Sequence, residues 1–293
     1  MDLVEDCYGY ACKGPVAAAI ILCLVAAPIG QGKSLVKAWW NECYGAAIMI
    51  AATFSPGKWW GVAGTVLEPA MHPALAAIDA IVPLDWVCHW LGVAAADYSC
   101  GGPHVNPGVS MAMCCIGKIP WAQFVTHVAG QMLGGVVAFP ALQTLAARLG
   151  WTPLGGPAVD AAIAGDALRE AVLHEFGATL LLCLGVFAIC LESPFKDIYP
   201  LKITCVAALI RFLIVYLGAA GPAINPMLAT TWALYATGSF PTFYQHYLVY
   251  WAAPLAAAVT AGFVYALLKS GATFFGVALR GGAKKAAPKK KKA

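Results

Sequence analysis

Long apolar stretches, separated by short groups of glycine, proline and charged residues, run along most of this chain. From Leu35 onward they cover roughly residues 35–56, 74–98, 120–146, 171–191, 198–219 and 243–268. Each is long enough for the ~20 mostly apolar residues that one bilayer crossing takes, so six spanning helices are predicted. Two further apolar stretches, Pro107–Gly117 and Pro226–Thr237, hold only about 11 or 12 residues. At ~1.5 Å per residue these cover roughly half of a ~30 Å hydrocarbon core, which predicts half-helices. Each opens on Asn-Pro. Asparagine at the cap accepts from free backbone N–H groups, and proline at the first position lacks the N–H that would go unpaired. An earlier apolar run, 15–29, is short for a span. It follows Asp2, Glu5 and Asp6, where a signal peptide would be basic, and is a candidate extra helix.

The pattern occurs twice. Glu42 near the start of the first span precedes Asn106, and Glu175 in the fourth precedes Asn225. Each Asn-Pro is followed by a second proline, Pro120 or Pro241, that opens the next span. Three spans per repeat is an odd number, so the second copy is inverted in the membrane and both half-helices reach the midplane. The chain divides into an N-terminal segment 1–34, a first repeat 35–157, a second repeat 158–272 and a basic tail 273–293.

Composition agrees with a protein that lives in lipid: 61% of the 293 residues are hydrophobic and 11% charged, with mean hydropathy +0.74, well above a soluble domain. The net charge of +4 comes from Lys284, Lys285 and Lys289–Lys292 in the tail. After a spanning helix such a run reads as a solvated cytosolic end, and nucleic acid is not expected as a partner. With the C-terminus cytosolic, Lys33, Lys37, Lys118, Lys196, Lys202 and Lys269 fall on the cytosolic side, against Lys58, Arg148 and Arg169 on the other. The final Lys290-Lys291-Lys292-Ala293 reads either as topology charge or as a dilysine signal for the endoplasmic reticulum. The eleven cysteines are odd in number and mostly sit in apolar runs, which implies no disulfide framework. Cys7 and Cys12 are a close pair without histidines at zinc spacing nearby, so no metal and no cofactor are expected. No catalytic spacing or phosphate loop is present in the sequence, and an enzyme is not expected.

The segment Gly102-Pro103-His104-Val105-Asn106-Pro107-Gly108-Val109-Ser110 resembles the first Asn-Pro-Ala loop of the major intrinsic proteins, the aquaporin family. Gly221-Pro222-Ala223-Ile224-Asn225-Pro226-Met227 resembles the second. Asn41-Glu42-Cys43-Tyr44-Gly45 and His174-Glu175-Phe176-Gly177-Ala178-Thr179 look like the glutamate motifs that open each repeat. Gly108 and Met227 stand where the family has alanine, and Leu228 where it usually has arginine. With the stretch 243–254, these departures make the chain look like the unorthodox intracellular branch.

The resemblance implies an all-α membrane fold, a right-handed bundle of six spans with two re-entrant half-helices. It implies a homotetramer in the lipid bilayer that passes water or small neutral solutes such as glycerol, ammonia or hydrogen peroxide. Asn106, Pro107, Gly108, Asn225, Pro226 and Met227 would form the pore centre, with Glu42 and Glu175 holding the loops. Counting from the two asparagines places Trp86, Leu213, Pro222 and Leu228 in the selectivity constriction, an apolar ring. His104 is either pore-lining, like its family counterpart, or packed in its loop. His89, His127 and His246 read as satisfied or interfacial side chains, and Cys114 and Cys115 as buried packing or a thiol-sensitive channel face. Asp79, Asp85 and Asp97 keep a proton-coupled carrier open as an alternative. A non-conducting scaffold of the same fold is the other.

Overall fold

The computed structural model describes residues 33–54, 84–148, 150, 155–217 and 223–279. The candidate extra helix, Asp79, Pro222 and all the tail lysines lie outside the described residues. In the first repeat, α1 (Lys33–Phe54) and α2 (Leu84–Cys100) lead to the half-helix α3 (Pro107–Cys115) and then to α4 (Trp121–Arg148). In the second, α5 (Gly165–Phe187) runs on through a π-helical turn, Ala188–Glu192, and α6 (Tyr199–Tyr216) leads to the half-helix α7 (Pro226–Thr237). The last span is composite: α8 (Tyr244–Tyr247), a π-helical turn Leu248–Ala252, and α9 (Ala253–Leu268). A short antiparallel hairpin follows, β1 (Thr273–Phe274) and β2 (Val277–Ala278), at the start of the segment expected to be tail.

Among the described residues, Trp121–Arg148, Gly165–Glu192, Tyr199–Tyr216 and Tyr244–Leu268 are long and apolar enough to cross a membrane. Lys33, Lys37 and Glu42 make α1 more polar, but Glu42 is turned inward and buried. The lipid-facing side carries exposed apolar residues such as Val137, Leu181, Phe212 and Leu267, as a surface bathed in hydrocarbon requires.

Packing repeats the inversion seen in the sequence. α1 lies against α4 as α5 lies against α9, and α3 docks on α9 while α7 docks on α4, so each half-helix rests on the last span of the other repeat. Small residues permit this close approach. A Cβ on Gly135 of α4 would sit 2.5 Å from Thr231 Oγ1 of α7, and one on Gly262 of α9 would sit 2.6 Å from Cys115 Cβ of α3. Gly130 and Gly134, one helical turn apart on α4, let α1 approach until a Cβ there would strike the carbonyl oxygens of Trp39 and Cys43.

The two half-helices begin where the sequence places them. Pro107 and Pro226 occupy first positions, and Asn106 and Asn225 are extended caps. Asn106 Oδ1 accepts from Gly108 N at 2.8 Å, and Asn225 Oδ1 from Met227 N at 3.1 Å. α7 ends on Gly238 in the left-handed conformation at φ 74°, the usual glycine stop.

Candidate functional site

The caps meet in the middle of the bundle, and each finds its second partner in the opposite repeat. Asn106 Nδ2 donates to Ile224 O at 2.8 Å, and Asn225 Nδ2 donates to Val105 O at 2.8 Å. To present those carbonyls, Val105 and Ile224 adopt φ of 49° and 42°. This is a left-handed conformation that β-branched residues rarely take and that costs on the order of 1–3 kcal/mol each. Two buried carboxylates hold the strained loops. Glu42 accepts from the backbone N–H of His104 at 2.7 Å and of Val105 at 2.8 Å. Glu175 accepts from Ala223 N at 2.7 Å and Ile224 N at 2.9 Å. Hydrogen bonds to a charged acceptor contribute about 1.5–3 kcal/mol each, enough to offset the strain.

A cavity of about 260 Å³ opens onto this centre. One side is polar, made of the loop residues Gly102 to Asn106 and Ala223 to Asn225. The other is an apolar wall from α2, α5 and α6, including Val93, Val186 and Ile210. Each asparagine amide carries two N–H groups and spends one on the opposite carbonyl, which leaves one to face a passing oxygen. Asp97, whose carbonyl accepts from Gly102 N at 2.8 Å, and Lys202 are also in the lining.

Of the residues counted into the constriction, Leu228 lines the cavity beside Asn225. Leu213 is buried in a hydrophobic cluster with Val186 and Ile224, and the neighbouring Ile214 lines the cavity instead. Trp86 is half-buried on α2 and is not part of the lining, while Pro222 lies outside the described residues. Gly108 and Met227 are buried at the half-helix starts. A Cβ on Gly108 would lie 3.2 Å from Asn106 Oδ1, so the absent methyl leaves the cap room. His104 lines the cavity, and its Nδ1 lies 3.1 Å from Ser110 Oγ. Cys114 and Cys115 are buried in packing and are not part of the lining. His246 is buried, its Nε2 3.1 Å from Thr230 Oγ1.

Sequence reasoning passed over a polar network behind the first loop. Gln131 Nε2 donates to Glu42 Oε2 at 2.7 Å and to Ser110 Oγ at 3.1 Å. His127 Nδ1 lies 3.1 Å from Glu42 Oε1 and 3.2 Å from His104 Nδ1. The signal was present: Gln123, His127 and Gln131 recur every fourth residue along an otherwise apolar span, which puts them on one helix face.

Paired Asn-Pro half-helices, each locked by a glutamate of its own repeat, now stand beside a sequence match to the Major intrinsic protein family over residues 30–265. The chain belongs to that family. Among its relatives, the glycerol uptake facilitator protein of Bacillus subtilis is 29% identical over 65% of this chain and 68% of its own. Aquaporin AqpM of Methanothermobacter marburgensis is 27% identical over 64% and 78%, and Aquaporin-4 of Dipodomys merriami 29% over 63% and 56%. For a major intrinsic protein the bundle and its crossed half-helices are the expected architecture.

Proposed function

We propose that this major intrinsic protein is a passive channel for water and small neutral solutes that excludes ions. The observation that carries the reading is the pair of half-helix starts meeting at the cavity, each asparagine donating to a backbone carbonyl of the opposite repeat and left with one free N–H. A helix N-terminus carries roughly half a positive charge. Two of them facing one another repel cations and protons, while the asparagine donors hold and turn a neutral molecule by its oxygen. The apolar wall supplies no replacement for an ion's hydration shell, so a bare ion meets a prohibitive desolvation cost. It does accept the carbon face of a polyol. Leu228 beside Asn225, in place of a fixed cation, favours solutes with an apolar face over fast water-only conduction. This agrees with relatives named for glycerol uptake as well as for water. No covalent step is required of any residue.

Purified protein in liposomes, followed by stopped-flow light scattering with water, glycerol, ammonia and hydrogen peroxide, tests the proposal. Flux of at least one neutral solute, no ionic current and no dependence on a proton gradient are expected. Asp97 in the lining supports a carrier as the second reading, which instead requires gradient-driven, saturating flux. We further place the C-terminus in the cytosol. Lys118, Lys196, Lys202 and Lys269 lie at or beside helix ends, and the hairpin that follows the last span docks by Phe275 N donating to Cys115 O at 2.7 Å at the end of α3, next to Lys118. The same reading makes the assembly a tetramer in an intracellular membrane. Changing the tail lysines to serine should then release a tagged protein to later compartments, and an unchanged distribution rejects the retrieval signal.

A further inference from the structure

Holding a pore loop takes one buried carboxylate. In the second repeat Glu175 does this with its two backbone bonds, and the position matching His104 is Ala223. The first repeat adds more than the loop needs. Two imidazoles, His104 from the loop and His127 from α4, turn their Nδ1 atoms toward each other and toward Glu42 Oε1. The side chains of Glu42 and His127 are almost entirely buried, and the three ligand atoms all lie within 4.8 Å of one another.

We propose that Glu42, His104 and His127 form a zinc(II) site entered from the cavity. Zinc bonds to nitrogen and oxygen at about 2.0–2.2 Å, which puts neighbouring ligands of a tetrahedral site roughly 3.3–3.5 Å apart. The His127–His104 and His127–Glu42 pairs stand at 3.2 and 3.1 Å, close to that edge length before any ion is drawn in. Ser110 Oγ lies 3.1 Å from His104 Nδ1, and a water from the cavity side can supply the fourth ligand. Two imidazoles and one carboxylate suit zinc and its transition-metal neighbours, whereas calcium and magnesium select oxygen donors. The outer partners are those a ligated site uses. Gln131 steadies Glu42 from its other oxygen. Gln123 Nε2 lies 3.1 Å from His127 Nε2, and turning that amide over would present its oxygen to the proton this nitrogen carries once Nδ1 binds metal. Access needs no passage through the positive centre. His104 lines the cavity between the exposed Gly102 and Asn106.

The test uses the full chain purified in detergent with a tag free of histidine. Cobalt(II) is titrated first and zinc(II) is then used to displace it. One cobalt per chain is expected, with the visible absorption of a four-coordinate nitrogen and oxygen site, lost on adding zinc. His127→Phe and His127→Gln should each weaken uptake by more than the about 100-fold that loss of an outer partner can cause, while staying monodisperse. Cys190→Ser, which removes a cavity thiol, should leave uptake unchanged. Absence of cobalt and zinc uptake by the parent protein at tens of micromolar overturns the proposal whatever the variants do. Sulfur-to-cobalt charge-transfer bands overturn it too, as does parent-like binding by well-folded His127 variants.

Discussion

Replacing Glu175 by leucine separates the two costs that the second pore loop balances. The carboxylate accepts from Ala223 N and Ile224 N at 2.7 and 2.9 Å, and it is 5% exposed, so water does not readily take its place. If the loop keeps its shape, two buried donors are left unpaired at about 1–3 kcal/mol each, so roughly 2–6 kcal/mol of stability is lost. At about 2–4 °C per kcal/mol for a domain approaching this size, the thermal midpoint falls by at least about 4 °C. If the loop relaxes instead, Ile224 leaves its left-handed conformation and returns up to about 3 kcal/mol of strain. Its carbonyl then turns away from Asn106 Nδ2, and the centre of the pore loses its alignment. Stability or flux must therefore suffer. Glu175→Gln keeps one acceptor oxygen and should lose about half as much. Thermal unfolding in detergent reads the first outcome and liposome swelling the second. A leucine variant matching the parent in both would refute the view that this carboxylate holds the loop.

Asn106→Leu or Asn225→Leu removes a cap worth about 1 kcal/mol together with the bond to the opposite repeat, and should lower both the thermal midpoint and solute flux. Parent-like swelling by the double variant would show that the pore centre lies elsewhere. Leu228→Arg places up to five donors in a cavity wall that is now apolar. Glycerol flux should fall by about tenfold or more, ~1.4 kcal/mol of added barrier, with water less affected; equal loss of both would mean general blockage. Gly134→Val drives a side chain into the Cys43 carbonyl and should cost about 1–3 kcal/mol, measured as a lower midpoint with α1 and α4 forced apart.

The spans and half-helices were legible because their signals are local. The stretch Pro226–Thr237 forms α7 with those boundaries, and the stretch 243–268 corresponds to the composite span Tyr244–Leu268. The π-helical turns at Ala188–Glu192 and Leu248–Ala252 left no comparable mark, since an extra residue in a turn is accommodated by packing and not by composition. Counting without gaps put both Leu228 and Leu213 in the constriction; Leu228 lines the cavity, but Leu213 lies in the core and Ile214 takes the lining, because one residue turns a helix face by about 100°. The Glu42, His104 and His127 cluster carried no short-spacing signal either, since its members stand 62 and 23 residues apart along the chain.

The crossed asparagine bonds also bear on how the protein is made. The glutamate clamp on the first loop can close as soon as α1 and α3 are inserted. The acceptor for Asn106 Nδ2 does not exist until Ile224 is synthesised, 118 residues later. At about 5–20 residues per second, the first half-helix waits on the order of ten seconds for its partner. During that interval a polar amide inside the membrane lacks the carbonyl it holds in the finished protein, at a cost on the kilocalorie scale. The nascent first repeat is thus an unfinished surface until the second repeat arrives.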